Sequence, residues 1–333
     1  MENHMPFGSA VHLPGAAALA AAGFPDPNPR ADSSSARFPD GGAWRVEIPS
    51  VEGLRALEAL VEEADDLDVP VHRVSQGSGV TMLTDREIRS MVELAESRQI
   101  ELCLFARPGA NWDVGGASTS TAGSGGARAR GLTQLGAVVA EVERGVDLGV
   151  RSFLVADEGA LLVLNRMRQS GALPRDVQLK TSIMAAPCNP ASYWVNELLG
   201  ADTINVPSDL TLAQLAEIRA ACVGTMDFYV EAPDNVGAFV RHWEIAEIIR
   251  IASPVYLKFG LRLAPDVYPS GRHLESVVVG ATRERVRRAR IGLDQLERSG
   301  LNLPMSALGS RDQPQPPHRV TGAGGMPIEG RAS

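Results

Sequence analysis

Two primary amines are the residues in this chain whose type is hardest to explain without chemistry. Of 32 basic residues only Lys180 and Lys258 are lysine, and every other one is arginine. Arginine serves for surface charge, but it cannot lose its proton at useful pH, form an imine or act as a compact point charge. Lysine does all three, so two chemistries are open. In the first, one amine is pushed down in pKa by burial and by the other cation, and it attacks a carbonyl carbon while Glu231 or Tyr229 moves protons. In the second, both ammonium groups stay charged and clamp a carboxylate or an oxyanion. The bland alternative is a site with no room for a guanidinium.

Such residues act only if a scaffold aims them at one place. Between residues 43 and 301 a short β-rich run followed by a longer helical pattern repeats eight times. The strand candidates are Arg45 to Pro49, Val71 to Gln76, Glu101 to Arg107, Ser152 to Asp157, Val177 to Ser182, Thr203 to Pro207, Asp227 to Glu231 and Val255 to Arg262. Eight βα units in about 260 residues predict an α/β fold, a closed (β/α)8 TIM barrel in a single domain. Thr84 with Glu87 reads as a capping box, and Asn189-Pro190 as an N-cap followed by an N1 proline. No GxGxxG follows the first strand, which argues against a dinucleotide fold.

In a barrel, alternate strand residues face the helices or the lumen, and the apolar half marks the outer face. This sorts Arg45 and Glu47 inward, then Gln178, Lys180 and Ser182, then Thr203 and Asn205. Tyr229 and Glu231 follow, and then Tyr256, Lys258, Gly260 and Arg262, with Cys103, Phe105 and Arg107 on the third strand. A lumen this polar exceeds what a purely structural core needs, because an uncompensated buried charge costs several kcal/mol, on the order of a fold's whole margin. Its structural alternative is a set of ion pairs that closes the barrel floor. The candidate catalytic residues are thus Lys180, Lys258 and Glu231. Arg262 is the candidate anion anchor, and Asn205, Tyr229, Gln178, Glu47 and Arg107 are candidate substrate contacts.

Composition narrows the classes. The chain has 333 residues, 44% hydrophobic content and a formal charge of −8, which argues against nucleic-acid or anionic-membrane partners. The basic run Arg283 to Arg290 reads as the wet face of a terminal helix. Cys103, Cys188 and Cys222 lie far apart, so no disulfide framework, zinc ribbon or iron–sulfur cluster is expected. A cytoplasmic location fits, since the apolar stretch Ala16 to Phe24 is too short to span a bilayer and lacks a basic n-region. Cys188, just before a helix start, reads as a structural thiol, and Asp234 as a helix cap. Residues 1–42 read as an arm and 302–333 as a disordered tail, both Pro- and Gly-rich. The glycine-rich segment Pro108 to Gly131 has the length of an active-site lid or of a disordered insertion. The cofactor is unknown, with a divalent metal drawn from Glu47, Asp157, Glu158, Glu231 and His273 left open.

The run from Gly200 to Leu215, GADTINVPSDLTLAQL, followed by Asp227-Phe228-Tyr229-Val230-Glu231, resembles the U32 peptidase-like barrels over about residues 150 to 260. That resemblance implies a barrel. The family includes collagenase-like peptidases and relatives that hold an iron–sulfur cluster, but its cysteine motif is absent here, so the resemblance leaves the chemistry open. The leading expectation is an enzyme acting on a small anionic or carbonyl-containing metabolite, of lyase or aldolase type or working by an oxyanion clamp. A U32-like hydrolase of a peptide or amide and a non-catalytic ligand-binding barrel are the alternatives. A homo-oligomer is also open.

Overall fold

The computed structural model describes residues 32–107 and 128–309. Eight parallel strands close into a barrel in sequence order: β1 (Trp44–Pro49), β2 (Arg73–Ser75), β3 (Glu101–Phe105), β4 (Ser152–Val155), β5 (Gln178–Thr181), β6 (Thr203–Asn205), β7 (Thr225–Glu231) and β8 (Val255–Phe259). Eight α-helices among the described residues alternate with them: α1 (Leu54–Asp66), α2 (Asp85–Ser97), α3 (Gly131–Asp147), α4 (Glu158–Ser170), α5 (Pro190–Leu199), α6 (Leu212–Ala221), α7 (Ile245–Ala252) and α8 (Glu275–Ser299). The strand seen at each predicted position is mostly shorter than expected. Polar and turn residues at the predicted ends, such as Arg107, Asp157 and Arg262, lie past the last paired position.

The alternation has its expected energetic basis. Val46, Ile48, Leu179, Ile204, Phe228, Leu257 and Phe259 are fully buried in the layer between sheet and helices, each worth about 1.5–3 kcal/mol of burial. Both predicted helix starts are formed, with reciprocal capping boxes at Thr84 and Glu87 and at Asn189 and Ser192. On α8, an ideal Cβ at Gly292 would lie 2.5 Å from the Phe259 ring, so glycine lets this long helix settle against β8.

Ordered structure extends past both barrel boundaries read from the sequence. Ser34 donates to the carbonyls of Ser253 and, through its amide, Arg250. At the other end, residues 303–307, which the sequence reading placed in the tail, dock under the barrel. Met305 bridges Trp44, whose indole donates to the Leu303 carbonyl at 3.0 Å, and Ser306 accepts from Arg45 at 2.9 Å. His72 locks this floor: its Nδ1 accepts from the Val46 amide at 3.1 Å and its Nε2 faces the Ser306 carbonyl at 3.0 Å. That pattern needs the neutral ring, and burial pushes the His72 pKa down to about 4.

A pH effect follows from that histidine. Its folded pKa lies below the ordinary value, so its contribution is complete above about pH 6.5 and fades as the pH falls toward the folded value. Denaturant titrations should show the parent losing about 2 kcal/mol more than a His72→Gln variant between about pH 7 and about pH 5. Equal losses would show that the ring does not stay neutral in the folded floor.

The first 31 residues, the segment 108–127 and residues 310–333 lie outside the described residues. The apolar stretch Ala16 to Phe24, most of the proposed lid and most of the proposed tail therefore fall there. Among the described residues, no helix is long and apolar enough to cross a membrane.

Candidate active site

Inside the barrel, charge is organised in one sealed layer. Glu47 of β1 accepts from Arg73 Nε at 2.9 Å and from Ser75 at 2.7 Å, and it is also bonded to the Lys180 ammonium. Asp227 of β7 pairs with Arg73 and lies 3.2 Å from Lys180 Nζ, while Thr203 donates to it at 3.0 Å. Lys258 Nζ sits 3.5 Å from Glu47 and 4.1 Å from the centre of the Tyr229 ring. Within this layer three cations therefore share two carboxylates. Glu101, on the floor side and 21% exposed, reaches Arg73 only at 3.6 Å.

The pKa shifts follow from this crowding. Burial would raise the Glu47 carboxyl, but Arg73, Lys180 and Lys258 together hold it well below the usual carboxylate range. Burial pushes the Lys180 amine down, Arg73 adds to that, and Asp227 and Glu47 restore part of it. Burial also raises the Tyr229 hydroxyl far above its ordinary value, so it stays protonated.

Above this layer, at the carboxyl ends of the strands, opens a cavity of about 300 Å³. Lys258, Tyr229, Asn205 and Ser182 line its lower part, while Arg107 and Arg285 line its wall. Lysine 258 is thus the group that belongs to both compartments, tied to the charged layer below and facing the cavity above. Lys180, 1% exposed, is enclosed in the layer and does not line the cavity.

The structure relocates several residues predicted for the site. Glu231 does not face the lumen. Tyr229 pairs with Lys258 but Glu231 pairs with Phe259, so one extra residue of β7 stands against a single step of β8. This β-bulge reverses the alternation, and the Glu231 carboxylate points outward, 3.3 Å from His242 Nε2 and 3.6 Å from Arg288 on α8. Arg262 lies in the loop after β8 and spends its guanidinium on Asp234 at 3.0 Å and on the Ala238 carbonyl at 2.7 Å. Asp234 consequently ties two loops together and caps no helix. Gln178 does face inward, but at the opposite end of the barrel, where it lines a separate floor cavity with Arg45, Glu101 and Tyr256.

Three residues that the sequence reading did not assign to the site belong to this interior. Arg73 and Asp227 obey the same alternation as their neighbours and were legible in principle, since Arg73 is flanked by His72 and Val74 and Asp227 is two before Tyr229. Arg285 was concealed in the basic run. Arg283, Arg287, Arg288 and Arg290 do make carboxylate pairs along the outer helix, but Arg285 is 3% exposed and turns into the cavity wall.

No family model and no curated protein matches the sequence. Among solved structures, a U32 peptidase is 21% identical with a TM-score of 0.37, covering 62% of this chain and 73% of its own. A barrel assigned as a fructose-1,6-biphosphate aldolase, from Coccidioides immitis, is 12% identical with a TM-score of 0.47, covering 78% of this chain and 91% of its own. Another, assigned as a lyase or mutase from Burkholderia cenocepacia, is 11% identical with a TM-score of 0.42, covering 71% and 79%. The chain is a TIM barrel. The distant resemblance to U32 barrels read from the sequence has its counterpart among these neighbours.

The carboxylates and histidine considered for a metal are dispersed in this barrel. Asp157 caps α4 by accepting from the Ala160 amide at 2.8 Å, Glu158 pairs with Arg128, and Glu231 faces outward. Among the described residues, no group of three or more His, Cys, Asp or Glu side chains gathers as a metal site.

Proposed function

We propose that this barrel is an enzyme acting on a small carbonyl-containing metabolite, whose reacting oxygen is met by the Lys258 ammonium at the bottom of the cavity. The observation that carries the reading is the double position of Lys258, which lines the cavity although almost fully buried and is anchored 3.5 Å from Glu47. A charge held this way is preorganised, and in a site shielded from water it stabilises a developing oxyanion far better than a solvated lysine would. Tyr229, buried beside it with its proton retained, supplies a neutral hydrogen-bond donor to the same place. Lys180 acts through the layer: it holds Asp227 and Glu47, and Glu47 in turn fixes Lys258. On this reading Glu231 keeps the outer wall together and takes no part in the reaction.

A second reading of the same amine is favoured by its neighbours. The Lys258 nitrogen, crowded by Arg73 and Lys180 around the same carboxylate, can also add to a carbonyl carbon with loss of water and form an imine. Borohydride trapping with a panel of small 2-oxo acids and aldehydes separates the two. A reduced adduct mapped to Lys258 supports the imine route. Lack of any adduct, together with turnover retained in Lys258→Arg, supports the purely ionic one. Full turnover in Lys258→Met sinks both, and full loss in Glu231→Gln with an intact fold overturns the role given to the outer wall.

A further inference from the structure

We propose that Arg285 is the anchor for a carboxylate on the substrate, so that the cavity selects a small oxo acid over a neutral carbonyl compound. The inference rests on the cavity being the reaction site, as argued above, and goes on to name the class of molecule it takes. Arg285 leaves α8 beneath the loops and reaches the wall of the cavity, where its Nη1 donates to the Ser50 carbonyl at 3.2 Å. Its Nε is buried and has no hydrogen-bond partner among the described residues. The Nε and Nη2 edge of a guanidinium is the one that meets both oxygens of a carboxylate in two parallel hydrogen bonds. Here that edge is left uncommitted on its buried side.

Its neighbours make this unusual. Arg283 pairs with Glu62 and Glu63, Arg287 and Arg288 pair with Glu284, and Arg290 pairs with Asp294 and Glu297. Arg285, the most enclosed of the run, has no carboxylate of the described residues within 4.0 Å. Glu52 acts on this guanidinium only from beyond pairing distance, and a buried guanidinium without a contacting carboxylate is costly, so the cavity at its side is where a closer partner can arrive.

The same geometry argues for a planar carboxylate over a phosphate. Tetrahedral phosphates are usually cradled by successive backbone amides of a glycine-rich turn. The turn at this mouth is Gln76-Gly77-Ser78-Gly79, and its Gly77 and Ser78 amides already donate to Glu52 at 2.6 and 3.0 Å. A protein carboxylate thus fills the anion cradle, and the guanidinium edge remains. The cavity's volume of about 300 Å³ suits a molecule of metabolite size.

Calorimetric titration of the full-length protein with pyruvate, malonate and inorganic phosphate at millimolar concentrations tests the assignment. At least one carboxylate should bind, and more tightly than phosphate. Arg285→Met should weaken it about tenfold or more, Arg285→Lys should recover only part of the loss because a point charge lacks the fork, and Arg287→Met should change nothing. Thermal melts accompany each variant; if Arg285→Met does not fold, Arg285→Lys in a folded state must still bind more weakly than the parent. Binding that is equal in the parent and the Arg285 variants, tighter phosphate than carboxylate, or no carboxylate binding at all would overturn the proposal. Carboxylate binding that depends on Arg285 without turnover or trapping at Lys258 would leave this site standing and fail the catalytic reading alone.

Discussion

Lys258→Met is expected to leave the barrel folded, within about 1 kcal/mol of the parent or above it, while turnover falls by about a hundredfold to a thousandfold. Removing this ammonium leaves Arg73 and Lys180 against Glu47 and Asp227, a balanced set of charges in the sealed layer. Methionine occupies a similar volume and brings no charge to be desolvated. That result would mark an amine kept for what it does at the cavity and not for stability, the usual trade between stability and activity. Denaturant unfolding gives the first quantity and steady-state kinetics the second. Lys180→Met is the contrast, because that ammonium touches both carboxylates and its loss should lower stability distinctly more. If Lys258→Met proved the less stable of the two while keeping its turnover, Lys258 would be a structural cation and the proposed site would fail.

Glu47→Gln carries the largest expected effect on folding. The carboxylate is fully buried and is shared by Arg73, Lys180, Lys258 and Ser75. The amide keeps the shape but leaves three cations facing Asp227, with only the more distant Glu101 besides, so a loss of about 3–5 kcal/mol at neutral pH is expected. The pH dependence gives a second check. Because the folded carboxyl lies well below its ordinary value, its stabilisation is complete above the unfolded pKa and disappears as the pH falls through the folded one. The gap between parent and variant should therefore be constant at neutral pH and close only in strong acid, below about pH 4. A gap that closes near neutrality would mean that Glu47 is not ionised in the layer.

The placement of these groups shows how far side-chain alternation carries. Lys180, Lys258, Glu47, Tyr229 and Asn205 all lie inside the barrel, because a strand buried on both faces alternates strictly as long as its ladder is regular. Gln178 obeys the rule too, yet it belongs to the floor cavity. Alternation states which side a residue faces; how deep it lies depends on the stagger between strands. Arg107 lies past the end of β3, where it lines the cavity wall and donates to the Gly77 carbonyl at 2.7 Å.

What the sequence by itself determined was the repeated βα rhythm, the two capped helix starts and the inward face of the regular strands. These depend on local propensity and on a period of two, both of which are written in neighbouring residues. What only the tertiary structure decided was wherever contact between distant segments overrides that period. A single bulged residue between Tyr229 and Glu231 turned Glu231 to the outer wall, and the Asp234 loop drew Arg262 away from the cavity. Arg285 was taken inward by the way α8 lies against β8 and β1, which no spacing of arginines along a helix can reveal. The docked segment 303–307 likewise owes its place to Trp44, Arg45 and His72, more than 230 residues away. Local pattern names the faces of a strand; long-range packing decides which cavity each face serves.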